Sequence, residues 1–158
     1  MREGASIDWF VKHWDELTRD ELTRDELYDL LAVRTAVFVV EQRCPYQEAD
    51  GLDRRAWHVF ARDGGGAIQA CLRILEPENG TAQIGRVLTV DRGTGLGRAL
   101  MERSIRAAWE KTGARRIRLE AQSYAQGFYE KLGFRRTEAP EFLEDGIPHV
   151  EMVLERKQ

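Results

Sequence analysis

The spacing of apolar residues changes several times along this chain, and each change marks an element. Ile7 to Trp14 mixes apolar and polar positions and reads as a first strand. From Leu27 the apolar positions move to helical spacing at Leu27, Leu30 and Leu31, followed by Val37 and Phe38. A five-residue tandem repeat, DELTRDELTRDEL, leads into that helix from Asp15 to Leu27 and is too short for a solenoid. It offers two capping boxes, Thr18 with Glu21 and Thr23 with Glu26. The stripe that starts at Leu27 favours Thr23 as the N-cap. Arg34 interrupts the apolar face, and a charge in a core stripe needs a partner.

Beyond an irregular, acid-rich stretch from Glu41 to Asp53, the period falls to two. Ala56 to Ala61 reads as a strand, Gly64 to Gly66 as a hairpin turn, and Ala67 to Leu75 as the returning strand. Pro77 to Gly80 is expected to turn the chain again, and Gln83 to Val90 is a further apolar strand. Gly95 to Lys111 is helical, with apolar residues over more than half its circumference, so it must pack on a sheet. Arg116 to Ala121 follows as a strand. Ser123 and Gln126 form a capping box before a short helix, which Gly133 ends as a left-handed cap. Phe134 to Thr137 and Pro148 to Leu154 close the chain as strands joined by the turn Glu144 to Gly146. The expected class is mixed α/β (α+β), a single domain over residues 1–158 with about 1–6 as a tail.

The segment Asp91 to Leu100, DRGTGLGRAL, places Gly93, Gly95 and Gly97 where the long helix begins. Each glycine costs a helix interior about 1 kcal/mol relative to alanine. Strand, glycine-rich turn and helix N-terminus together make an anion cradle, because the first helical amides lack partners and the dipole is positive there. Arg92 and Arg98 could add charge-assisted contacts. No Gly-Lys-Ser/Thr follows, so the Walker loop is excluded. A dinucleotide fold would find a ribose-binding acid in Glu120, but the spacing G-x-G-x-G departs from G-x-G-x-x-G, and some ninety residues precede the unit.

Charge narrows the phosphate's owner. The chain carries 24 basic and 27 acidic residues for a net −3, interleaved, which supplies no field for nucleic acid. The two cysteines, Cys44 and Cys71, suggest neither a disulfide framework nor a metal site. No membrane-length apolar run occurs and Met1 to Ser6 lacks a signal-peptide core, so a cytoplasmic protein with reduced thiols is expected.

The segment Arg92 to Gly97 resembles the R/Q-x-x-G-x-G/A acetyl-CoA loop of the GNAT superfamily of acetyltransferases. AQGFYEKLGF, Ala125 to Phe134, resembles that family's second hallmark, A-x-x-[FL]-Y-E-K-x-G-F. Arg34 to Asp53, Ile84 to Val90 and Glu144 to Met152 are similar to its ElaA-like branch. The resemblance implies a mixed, mostly antiparallel sheet with one splayed strand pair and helices on both faces. It implies acetyl-CoA as the cofactor, no metal, and a small-molecule or peptide amine as acceptor. A homodimer is compatible with it; nucleic acid and membrane partners are not expected. One departure is visible: Val90 is separated from Arg92 by Asp91 alone, where family members usually have several residues.

By this resemblance Leu88, Thr89 and Val90 offer backbone groups to the pantetheine arm and an amide to the oxyanion formed by attack. Arg92, Gly93, Thr94, Gly95, Leu96, Gly97 and Arg98 hold the pyrophosphate. Tyr129 serves as general acid toward the departing thiolate, and Gln122 stands where the family often has a positioning Asn. The base is open among Glu41, Glu48, Glu120, His58 and His149. Val150, Met152 and Leu154 define an apolar face, so His149 falls on the opposite one with Glu151. His58, between Ala56 and Phe60, reads as structural. Glu41, Glu48, Asp50 and Asp53 read most simply as a solvated loop, which in this family lines the acceptor side. Arg34 is expected to pair with one of them. Two further readings stay open: an acyl-CoA sensor of the same fold, and the dinucleotide-dependent oxidoreductase.

Overall fold

The computed structural model describes residues 6–15, 20–43, 47–91 and 93–157. Its strands are β1 (Asp8–His13), β2 (Ala56–Arg62), β3 (Ile68–Glu78), β4 (Thr81–Thr89), β5 (Arg116–Gln122), β6 (Arg135–Arg136), β7 (Phe142–Glu144) and β8 (Ile147–Glu155). They form one sheet in the order β1-β2-β3-β4-β5-β8-β6, with β7 also on β8. Every pairing is antiparallel except β4 with β5. Helices lie on both faces, which is the expected fold class.

Thr23 caps α1 (Arg24–Arg34) as its sequence asks: its hydroxyl accepts from the Glu26 amide at 3.1 Å, and Glu26 accepts from the Thr23 amide at 2.9 Å. Thr18, the other candidate, lies outside the described residues, as do residues 1–5 of the proposed tail. The chain continues from Thr35 to Glu41 in wider π-helical turns, with Gln42 N bonded to Val37 O at 2.9 Å. Leu30, with Leu27, Val33, Val37 and Phe38, packs on Phe60, Cys71 and Leu88 on one sheet face. The other face takes α2 (Leu96–Ala107) and its π-helical continuation, Ala108–Thr112. There Leu100, Met101 and Ala108 meet Val59, Leu72, Ile84, Leu119 and Met152. Each such large apolar side chain contributes about 1.5–3 kcal/mol by leaving water.

Pro77 does not turn the chain. β3 runs through it to Glu78, and the pairing with β4 slips between Leu75 and Glu78, so the missing amide falls at a bulge. The turn is made by Asn79 and Gly80, both at positive φ. Ser123 does not cap α3 (Gln126–Lys131). Its hydroxyl donates to Glu141 at 2.8 Å, and Ser123–Ala125 form a 3-10 turn ahead of the helix. The Glu144–Gly146 turn joins β8 to β7, a strand too short to show a period; of Phe134 to Thr137, Arg135–Arg136 pair with β8 as β6 and the Thr137 amide donates to Glu151 O at 3.0 Å.

Candidate active site

β4 and β5 pair at only three positions, Thr81↔Arg116, Ala82↔Ile117 and Gln83↔Arg118. From Ile84 onward they part, leaving a gap in the sheet. The cause lies in β4. Leu88 pairs with Cys71 and Gly85 with Arg73, so one extra residue bulges between them. Arg86 sits there at φ 53, a left-handed conformation that few non-glycine residues adopt. Past the bulge, Val90 N donates to Gln69 O at 2.8 Å. Leu88 and Val90 therefore face β3, and the alternation of an antiparallel ladder turns the Thr89 amide into the gap.

The turn after β4 takes its shape from Gly93 and Gly95, at φ 76 and 79. Gly95 is the N-cap of α2, with no side-chain cap and no acidic residue in the first turn. Thr94 Oγ1 reaches the Leu96 amide only at 3.4 Å, and the first ladder bond is Ala99 N to Gly95 O at 3.2 Å. The positive end of the dipole is left unneutralised, an environment suited to an anion. A Cβ added to Gly97 would stand 3.8 Å from both Phe128 Cζ and Thr89 Cγ2. The start of α2, the end of β4 and α3 thus converge. The short Val90–Arg92 connection is met by a strand ending at Thr89, with Val90 exposed yet still bonded to β3. Arg98 is exposed and donates to Glu102 at 2.8 Å, and Arg92 lies outside the described residues.

Tyr129, on α3, is half-buried, its ring edge-on to Phe128 at 5.1 Å and Phe134 at 6.0 Å. Burial, with Tyr124 nearby, pushes its hydroxyl up to about 12, so it holds its proton at neutral pH. Gln122 ends β5 and pairs with His149 of β8. His149 departs from the surface position expected for a residue off the apolar face: it is 8% exposed, because β7 folds over it and Phe142 stacks on the ring at 5.8 Å. Its Nδ1 lies 2.7 Å from Ile147 O. A carbonyl only accepts, so in the neutral ring Nδ1 carries the proton and Nε2 a lone pair, assigned here from that bond. Nε2 stands 3.7 Å from Glu144 Oε2. Burial, then the neighbouring Glu120, pushes the Glu144 carboxyl up.

Of the four acids expected in a solvated loop, Glu41 and Asp50 are exposed, but Glu48 and Asp53 are buried in an ion network that also draws in Asp50. Arg34 is 2% exposed, Glu48 8% and Asp53 6%. Arg34 Nε donates to Glu48 at 2.5 Å, and its Nη1 donates to Asp53 at 2.8 Å. Arg73 bridges Asp53 at 3.1 Å and Asp50 at 2.6 Å. Arg86 joins Asp50 to Glu48, both at 3.2 Å. The result is a closed ring of three arginines and three carboxylates. Burial works against ionisation of Asp50, but Arg73, the Leu52 amide and Arg86 outweigh it and hold the group at about 2. Asp53 is also lowered: burial opposes it, and Arg34 and Arg73 prevail. Arg73, inside the apolar run Ala70 to Leu75, carried the same sequence signal as Arg34.

His58 is buried, its Nε2 3.0 Å from Asp53 O, and burial lowers its pKa, in keeping with a structural place. Cys71 is buried and its thiol pushed up to about 12, which makes it inert; Cys44 lies outside the described residues. Glu41 is exposed at the end of the π-helical turns. A depression of about 450 Å³ lies at the paired end of β5, lined by Thr81, Arg116, Arg118, Arg135 and Glu151. Its arginines are matched to Glu120, Glu151 and Glu155, and the unpaired stretch of β4 does not line it. Among the described residues no helix is long and apolar enough to cross a membrane.

A parallel strand pair that parts where one strand bulges, followed by a glycine turn into a helix, is the arrangement the family resemblance implies. Residues 28–156 match the family model for the acetyltransferase (GNAT) domain. The chain belongs to the GNAT acetyltransferase family. It is 38% identical to ElaA of Escherichia coli over 149 residues, 90% of this chain and 95% of that one. The ElaA crystal structure superposes with a TM-score of 0.84, covering 95% of this chain and all of ElaA. An acyl-CoA N-acyltransferase from Pseudomonas aeruginosa is 43% identical, with a TM-score of 0.85 over 94% of this chain and 99% of that one. A Schizosaccharomyces pombe relative is 40% identical over 132 residues, 82% of this chain and 87% of that protein.

Proposed function

We propose that this GNAT acetyltransferase moves an acetyl group from acetyl-CoA to a primary amine by direct attack, without a covalent enzyme intermediate. The observation that carries the reading is the convergence at Gly97, where the unneutralised start of α2 comes so near the end of β4 and α3 that one added carbon would touch both Thr89 and Phe128. Bound acetyl-CoA would supply an acetyl group already activated as a thioester. The amides opening α2, with Gly93 to Gly97 shaping the approach and Arg92 and Arg98 adding charge, suit its pyrophosphate. Leu88 and Val90 keep β4 fixed to β3, while the Thr89 amide points into the gap as a preorganised donor for negative charge on an acyl oxygen.

Tyr129 contributes as the group facing the sulfur. Its phenol, at about 12, is a weaker acid than a free thiol near 8.5, so full transfer of its proton to the thiolate is uphill. Its useful act is to donate a hydrogen bond as the C–S bond breaks. His149 is the best-placed proton acceptor for the amine. Its Nε2 lone pair is fixed by the Ile147 carbonyl, and it lies across from Gln122 at the end of β5. Every ring carboxylate has arginine partners, and Glu120 has Arg118, so these groups supply little net attraction for a cationic amine; Glu144, beside His149, is a carboxylate with no arginine bound to it among the described residues.

The test is thiol release from acetyl-CoA across a panel of amines, with Tyr129→Phe beside the parent. Amine-dependent release by the parent, slowed in the variant while coenzyme A still binds, supports the proposal. Binding without release for any amine returns the acyl-CoA sensor reading, and no binding at all refutes both.

A further inference from the structure

We propose that the ring Arg34–Glu48–Arg86–Asp50–Arg73–Asp53 decides which backbone amide faces the gap, with Arg86 as its positioning residue. This rests on reading the gap as the acyl-CoA site. Each arginine in the ring touches two carboxylates and each carboxylate two arginines, so the circuit is closed. It ties β4 to α1, to β3 and to the segment from Glu48 to Asp53. Its one member on β4 is Arg86, at the bulge itself.

That position matters because of the strand's alternation. Thr89 faces the gap only because one extra residue lies between Gly85 and Leu88. A bulge displaced past Thr89 would rotate that amide toward β3, since a slip of one residue exchanges the two sides of a strand. Beyond Gln83 no β5 ladder holds β4 from the gap side. The β3 ladder alone tolerates a bulge at neighbouring positions. The guanidinium of Arg86, gripped by Glu48 and Asp50 at 3.2 Å, pins the bulge to one residue.

Two measurements test this on Arg86→Gln, Arg86→Lys and Asp50→Asn, the last leaving β4 unchanged and replacing a partly exposed partner. The first is amide hydrogen exchange in the ligand-free protein. In the parent, Thr89 exchanges fast while Leu88 and Val90 are protected. Arg86→Gln and Asp50→Asn should level or invert that pattern, and Arg86→Lys should keep most of it. The second is turnover. Arg86→Gln should lower kcat by about 10- to 100-fold with its affinity for coenzyme A retained, a cost typical of a misplaced reacting group. A parent-like exchange pattern in folded Arg86→Gln and Asp50→Asn overturns the proposal. So does a variant that melts earlier yet turns over at the parent rate per folded molecule. If the parent itself transfers no acetyl group, the functional reading falls, while the exchange pattern still decides whether the ring pins the bulge.

Discussion

The two walls of the gap are built in opposite ways. The β5 wall is regular: it pairs with β8 without a break from Arg116↔Glu155 to Gln122↔His149. Its charges, Arg118 with Glu120 and Glu151 and Arg116 with Glu155, form a solvent-facing ladder. The β4 wall is bent by a bulge, carries a left-handed arginine, and is held from behind by buried charges. The same residue types therefore do different work. Exposed pairs in high dielectric contribute little, whereas a buried ring is costly to assemble and more costly to break. A straight wall needs only its ladder. A bent one needs something to keep it bent.

The ring breaks most readily at Asp53, which two of its arginines share. Asp53→Ala leaves them with unmatched buried charge and should cost about 3–5 kcal/mol. In a chain this size that is a fall in Tm of roughly 6–20 °C. A loss below about 1 kcal/mol in urea unfolding would put this ring in the class of surface pairs. The ring should also set the acid limit. Asp50 and Asp53 titrate below their unfolded value of 3.8. Their stabilisation is therefore complete above that pH and is lost as the pH falls through each lowered pKa, which for Asp50 is about 2. Asp50→Asn should flatten the acid limb of the stability profile.

Next in size is the aromatic side of the gap. Tyr129→Phe should lower kcat by about 10²-fold, near 2.7 kcal/mol of barrier, with coenzyme A affinity unchanged. Since Tyr129 is held at about 12, the parent's rate should show no loss from its ionisation up to about pH 10. A descending limb near pH 8 that Tyr129→Phe removes would contradict that environment. Smaller still is Gly95→Val, which forces a β-branched residue to φ 79 and should weaken coenzyme A binding about tenfold, read by titration calorimetry. The smallest effect belongs to the open ladder. Glu155→Gln removes a partner of Arg116 and Arg135 and should shift stability by less than about 1 kcal/mol.

Much of this contrast could be read in the sequence where interactions are local. The Thr23 capping box spans four residues, and both its arms form. The glycine turn and the Ala125 to Phe134 motif announce themselves by composition, and Gly133 takes the left-handed φ expected of it. Arg34 in an apolar stripe announced an ion pair, but not its closure into a ring. Arg86 meets Glu48 and Asp50 across 38 and 36 residues, and no period encodes such a meeting. The burial of His149 was hidden for a related reason: it depends on β7, three residues long, whose Phe142 gives no repeat to read. Pro77 misled because proline usually ends a strand, whereas a bulge supplies a place where its missing amide is harmless.

On this reading the unneutralised start of α2 and the gap beside Thr89 together receive acetyl-CoA. A crystal structure of the protein with coenzyme A tests it most directly. The expected complex has the pyrophosphate on the amides of residues 95–98, the pantetheine arm between β4 and β5, and the sulfur beside the Tyr129 hydroxyl. Coenzyme A bound with that gap empty, or with Tyr129 turned away from the sulfur, would contradict it.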